Sequence, residues 1–70
     1  MENVTLQMTD QITGKTVERT ICAINAYSSG EVCWELQSEE RQRKNLERWI
    51  EERGNQQHAT TLKLESWEFN

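Results

Sequence analysis

The sequence predicts a small α+β domain with the element order β-β-β-α-β, in which one helix packs on one face of a mainly antiparallel sheet. Three observations carry this prediction. Apolar and polar residues alternate near the N-terminus, short turn signals separate the alternating segments, and one later segment has apolar residues at helical spacing. The 70 residues, of which 34% are hydrophobic, leave room for a single domain, 1–70, with one small core.

The first two strands are predicted to form a hairpin. Apolar residues alternate with polar ones over roughly 2–9, which is typical of a half-buried strand. These apolar residues are Val4, Leu6 and Met8. Thr13-Gly14 marks a turn, and a second β-rich segment follows over about 15–25. Because Ile24 is out of phase with the earlier apolar residues, either a bulge intervenes or both faces of the strand are covered near its end.

A third strand and then the helix are predicted after a break at 28–30. The apolar residues of this strand are Val32, Trp34 and Leu36. Ser38 stands at the N-cap position of the helix, with two glutamates in the first turn. The helix is predicted to end at Gly54, the usual left-handed cap, with 55–57 as a connector. Its one apolar stripe, which must pack on the sheet, consists of Leu46, Trp49 and Ile50.

Residues 59–69 return to strand chemistry. Because this strand is reached across the helix, we expect it to run parallel to strands 1 and 3, and we place it beside strand 1 rather than strand 3. Trp67 and Phe69 are out of phase with the two leucines of the same segment. Either both rings are exposed beside neighbouring glutamates, or a bulge near 65–66 turns them inward.

The sequence favours a cytoplasmic protein with reduced thiols. The N-terminus lacks the basic and apolar regions of a signal peptide, and no segment has the roughly 20 apolar residues of a membrane-spanning helix. Only Cys22 and Cys33 are available for a disulfide, whereas small secreted chains usually carry several bridges.

No catalytic, metal or cofactor motif is present in the sequence. Gly14-Lys15-Thr16 resembles the end of a phosphate-binding loop, but Thr9 stands where the loop needs its first glycine. A metal site or a nucleophile–base pair would have to use Cys22, Cys33 and the single His58, which lack the required spacing. We therefore predict a protein that is not an enzyme and needs no cofactor or metal.

Binding to nucleic acid is an alternative that the basic residues of the helix suggest. These are Arg41, Arg43, Lys44 and Arg48. The net charge of −4 disfavours it, because phosphate binding is driven by basic surfaces. Ion pairs four residues apart explain the same bases, and the candidate pairs are Glu39–Arg43, Glu40–Lys44 and Arg48–Glu52.

Acidity and exposed aromatic residues are the remaining functional signals. They predict a protein partner with a basic surface, contacted by Glu40, Glu47, Glu51, Glu65, Glu68 and Trp67. A plain oligomerising module is a third hypothesis, since a core this small gains stability from a partner or from a homo-oligomer.

In size, charge and lack of catalytic residues, the chain resembles the small acidic proteins of phages and mobile elements that block host nucleases. Anti-CRISPR and anti-restriction proteins belong to this group. The resemblance implies a stoichiometric inhibitor that occludes a basic nucleic-acid-binding surface on a host defence protein. A small nucleic-acid-binding regulatory protein is the alternative function.

Overall fold

The computed structural model describes residues 3–26 and 37–70, which form the predicted α+β fold. Three strands make one sheet, and a helical stretch packs on one of its faces. The elements are β1 (Asn3–Asp10), β2 (Thr16–Cys22), a 3₁₀ turn (Ala23–Ala26), α1 (Glu39–Trp49), a π-helical turn (Ile50–Gly54), α2 (Asn55–His58) and β3 (Leu62–Phe69). The predicted third strand and the break before it lie outside the described residues.

The sheet has the order β2-β1-β3, and both outer strands run antiparallel to β1. The placement of the last strand beside strand 1 is therefore confirmed, whereas its predicted parallel direction is wrong. That direction was inferred by counting one reversal per predicted turn. In the structure, hydrogen bonding to β1 determines it, and antiparallel pairing is slightly the more stable arrangement. Consequently β2 and β3 run parallel to each other, with β1 between them.

The predicted hairpin joins β1 and β2, with Thr9 paired to Thr16 at its closed end. Gly14 adopts a positive φ of 77°, which glycine tolerates without strain, and donates its N–H to the carbonyl of Asp10 at 2.7 Å. The Asp10 carboxylate accepts hydrogen bonds from the Ile12 N–H and from the Thr60 hydroxyl, at 2.8 and 2.6 Å. Asp10 therefore connects the hairpin loop to the segment that leads into β3.

The phase change at Ile24 arises from the end of β2, so neither a bulge nor two-sided cover is needed. The strand stops at Cys22, and the 3₁₀ turn follows at once. Ala23 and Ala26 are buried in this turn, while the side chain of Ile24 is 60% exposed.

The helix begins as predicted, with Ser38 as its N-cap. The Ser38 hydroxyl accepts a hydrogen bond from the Arg41 N–H at 3.2 Å, which satisfies one of the donors at the helix start. The apolar stripe is also confirmed, because Leu46, Trp49 and Ile50 are all buried against the sheet.

The helix does not end at Gly54. Gly54 has helical backbone angles, the 55–57 segment is helical, and the chain leaves the helix at Ala59, whose φ is 52°. Gly54 is needed for packing instead. A Cβ at this position would lie 2.9 Å from Cζ3 of Trp49, too close for any other residue without a shift of the ring. Close approach of an aromatic ring therefore explains this glycine better than a helix cap does.

A bulge in β3 reverses the phase of the last strand. Met8 pairs with Leu64 and Gln7 pairs with Ser66, so Glu65 is the extra residue. Beyond the bulge, Trp67 and Phe69 lie on the helix side of the sheet, opposite the buried residues Leu6 and Val4 respectively. Trp67 is half-buried against the core, and Phe69 is 37% exposed. Of the two alternatives, the structure has the bulge.

Candidate functional site

A groove runs along the outer side of β3, between that strand and the helical stretch. It consists of two hollows, with volumes of about 350 and 240 Å³. The first lies between the start of α1 and the second half of β3, and the second between the π-helical turn and the first half of β3. We call the two together the β3 groove.

Trp67 forms the most apolar part of this groove. Its ring lies there because the bulge at Glu65 turns it towards α1. The indole Nε1–H donates to Oε1 of Gln42 at 3.0 Å, and the guanidinium carbon of Arg43 lies 5.0 Å from the ring centroid. This cation–π distance fixes Arg43 over the ring and fixes one face of the ring against α1.

Carboxylates outnumber bases among the described residues of the β3 groove. The acids are Glu39 and Glu65 in the first hollow and Glu47 and Glu51 in the second. The bases are Arg43 and Lys63, so four acids face two bases and the groove carries a formal charge of −2. Its electrostatic potential therefore attracts cations.

The groove brings together four of the six residues predicted to bind a partner, namely Glu47, Glu51, Glu65 and Trp67. Glu40 lies in a separate hollow with Ser38, Arg41 and Lys44, and its carboxylate pairs with Lys44 at 3.6 Å. Glu68 lies on the opposite face of the sheet, paired in register with Thr5. Helical spacing put Glu40 in line with Glu47 and Glu51, but β3 borders only the later turns of that stripe.

Sequence reasoning missed Glu39, Gln42 and Arg43 as groove residues. It assigned Arg43 to an ion pair with Glu39, whereas the structure places the guanidinium over Trp67. The helical position of Arg43, one turn before Leu46 on the side that faces β3, was the available signal. It became readable only once the bulge had put Trp67 on the same side.

Other bases of the helix-covered side are also held by contacts within the chain. Arg48 donates to the carbonyl of Ala26 at 2.9 Å, rather than lying in the predicted pair with Glu52. Arg19 lies on the core face of β2, with its Nη1 at 3.2 Å from Nε2 of His58 and its guanidinium 5.7 Å from the Trp49 ring. These contacts direct basic side chains inward, and most acids remain exposed.

The face of the sheet away from the helix is polar. Thr5 and Thr20 share a hydroxyl–hydroxyl hydrogen bond of 2.9 Å across β1 and β2, and Thr9 donates to Glu65 at 2.9 Å across β1 and β3. Cross-strand pairs of this kind stabilise a sheet without burying it.

In the part of the chain that the structure describes, no three His, Cys, Asp or Glu side chains are grouped so as to hold a metal ion. Over the same part, no helix is both long and apolar enough to cross a membrane. Cys22 ends β2, opposite Asn3, whereas Cys33 lies outside the described residues, so the reduced thiols remain a prediction.

Comparison with profiles of known protein families, with curated proteins and with solved structures finds no match to this chain.

Proposed function

We propose that the chain is a small acidic, non-enzymatic protein-binding module whose β3 groove takes a basic segment of a partner protein. The observation that carries the proposal is the meeting of four carboxylates and the Trp67 ring in one groove. An arginine or lysine of the partner would gain charge complementarity from the acids, while its aliphatic stem would pack on apolar surface.

The partner surface that fits this groove best is one that binds nucleic acid. Such surfaces are rich in Arg and Lys, and an acidic protein competes for them by carrying charge of the same sign as phosphate. We therefore propose that the module inhibits by occlusion, in the manner of the phage and mobile-element inhibitors that it resembles.

Direct nucleic-acid binding through the helix is the less favoured function. Three of the four bases it would use have contacts within the chain, to Trp67, Glu40 and the Ala26 carbonyl. A phosphate would have to compete with these contacts and with the net charge of −4.

Displacement of DNA from a basic peptide tests the proposal. A short arginine-rich peptide is bound to a labelled DNA duplex, and release of the DNA on addition of the protein is followed by fluorescence anisotropy. We expect the wild-type chain to release the DNA. We expect Glu47→Lys with Glu51→Lys to raise the concentration needed about tenfold or more, with a weaker dependence on salt.

A matched control separates the groove from net charge. Glu18→Lys with Glu52→Lys makes the same change in charge at exposed positions outside the β3 groove. It should displace DNA nearly as well as wild type. Equal loss in the two double variants would show that only net charge acts. Direct binding of the chain to the duplex, abolished by Arg41→Glu with Arg48→Glu, would support the nucleic-acid alternative instead.

A further inference from the structure

The outer edge of β3 is the basis of this inference. Within residues 3–26 and 37–70, β3 pairs with a strand on one side only, the side of β1. An edge strand of eight residues presents backbone donors and acceptors that a further strand can use.

The bulge at Glu65 makes β3 complementary to itself. Before the bulge Leu64 lies on the helix side of the sheet and Lys63 on the polar side; after it Trp67 lies on the helix side and Glu68 on the polar side. In an antiparallel pair of two β3 strands, residues face the same side only if the first half of one strand pairs with the second half of the other. The register that satisfies this condition over the whole strand has its two-fold axis between Glu65 and Ser66.

We propose that two copies of the chain pair through β3 in this register and form a continuous six-stranded sheet. Lys63 then lies opposite Glu68 of the second copy, and Leu64 lies opposite Trp67 of the second copy. By symmetry each pair occurs twice. An opposite-charge pair and an apolar–aromatic pair are both favourable across an antiparallel ladder, and the bulges interrupt the ladder only at the axis.

Charge complementarity extends to the groove walls. Glu47 and Glu51 line the hollow beside Leu64, whereas Arg43 lines the hollow beside Trp67. Antiparallel pairing brings the Arg43 end of one groove opposite the acidic end of the other. The two grooves thereby merge into one valley between two helical stretches.

The other edge strand lacks this property. In β2, which the structure shows without a bulge, full-length antiparallel self-pairing sets Arg19 opposite its own symmetry copy. Like charges facing each other destabilise a strand pair. The β3 edge is therefore the one suited to a second copy of this chain.

Exchange of charges across the axis tests the proposal in the absence of any other protein. Sedimentation velocity over a range of concentrations should show a monomer–dimer equilibrium for wild type. Lys63→Glu and Glu68→Lys each set like charges in both pairs, so each should raise the dimer dissociation constant about tenfold or more. An equimolar mixture of these two variants should dimerise again, because both cross-strand pairs are then attractive.

Lys15→Glu is the matched control, since it makes the same change in charge as Lys63→Glu but in the exposed hairpin loop. It should leave dimerisation unchanged, and circular dichroism should show that all variants are folded. A chain that stays monomeric up to millimolar concentration overturns the proposal and means that Lys63 and the bulge protect the edge. A dimer that Lys63→Glu leaves intact, or a mixture that does not reassociate, overturns it as well. Neither result bears on DNA displacement by the groove.

Discussion

Gly54 and Ala59 determine how the helix packs and where it ends. Gly54→Ala should lower the free energy of unfolding by about 1–3 kcal/mol, because the added Cβ would overlap the Trp49 ring. Ala59→Gly should raise it by about 1 kcal/mol, because a residue at φ 52° loses the cost of a Cβ in the left-handed region. Urea unfolding of the two variants measures both effects. A helix that ended at Gly54 would give no gain in stability for Ala59→Gly.

Asp10 makes stability depend on pH. The Thr60 hydroxyl, followed by the Ile12 N–H, holds the pKa of the Asp10 carboxyl below its ordinary value. A lowered folded-state pKa contributes stability above the unfolded-state pKa of about 3.9, and this contribution is lost as pH falls through the lower folded-state value.

Asp10→Asn removes this contribution. Melting temperatures measured from neutral to acidic pH should show the variant below wild type at neutral pH, with the difference narrowing as pH falls below about 4. Thr60→Val removes the largest cause of the shift and should narrow the difference in part. A difference between wild type and Asp10→Asn that stays constant with pH would contradict this account.

At the scale of elements, the helix is held to the sheet mainly through Trp49. The ring is 4% exposed, contacts Gly54 and lies near Arg19. Trp49→Ala should cost about 3–5 kcal/mol, enough to unfold much of a domain this small. Trp49→Phe should cost less and keep the chain folded. Thermal unfolding followed by circular dichroism measures both.

Ile24→Ala is the control for this prediction. Its side chain is 60% exposed, so we expect a change within ~0.5 kcal/mol. A Trp49→Ala chain that melts at the wild-type temperature would mean that the helix is held by other contacts.

Local patterns predicted most elements, because strand and helix periodicities are set by residues close in sequence. The N-cap at Ser38, the hairpin turn at Gly14 and the stripe around Trp49 are of this kind. The direction of β3 and the role of Gly54 depend on contacts between distant segments. A glycine cap and a glycine under an aromatic ring look alike in sequence, so the end of the helix was misplaced.

The candidate site shows the same division between local and distant information. Glu47 and Glu51 share a helical face, and this face was predicted. The addition of Arg43 and the separation of Glu68 required the bulge at Glu65 and the order of the strands. Charge and composition thus predicted the kind of surface, and the sheet topology decided which acids lie on it.

For the whole molecule, the central claim is that the acidic β3 groove receives a basic protein segment. The net charge of −4 favours such partners in general, and the groove makes the claim specific because it combines carboxylates with Trp67. If dimers form through β3, the merged valley presents the same acids twice, which would strengthen attraction for a long basic surface.

Nuclear magnetic resonance mapping with an arginine-rich peptide tests this claim most directly. Titration of the peptide into isotopically labelled protein should shift the Trp67 indole N–H and the backbone amides of Glu47, Glu51 and Lys63. The amide of Lys15 in the exposed hairpin loop should stay unchanged. Shifts spread evenly over all exposed acids would contradict a specific groove. Shifts confined to Arg41 and Lys44, seen with a DNA duplex and absent with the peptide, would contradict the account altogether.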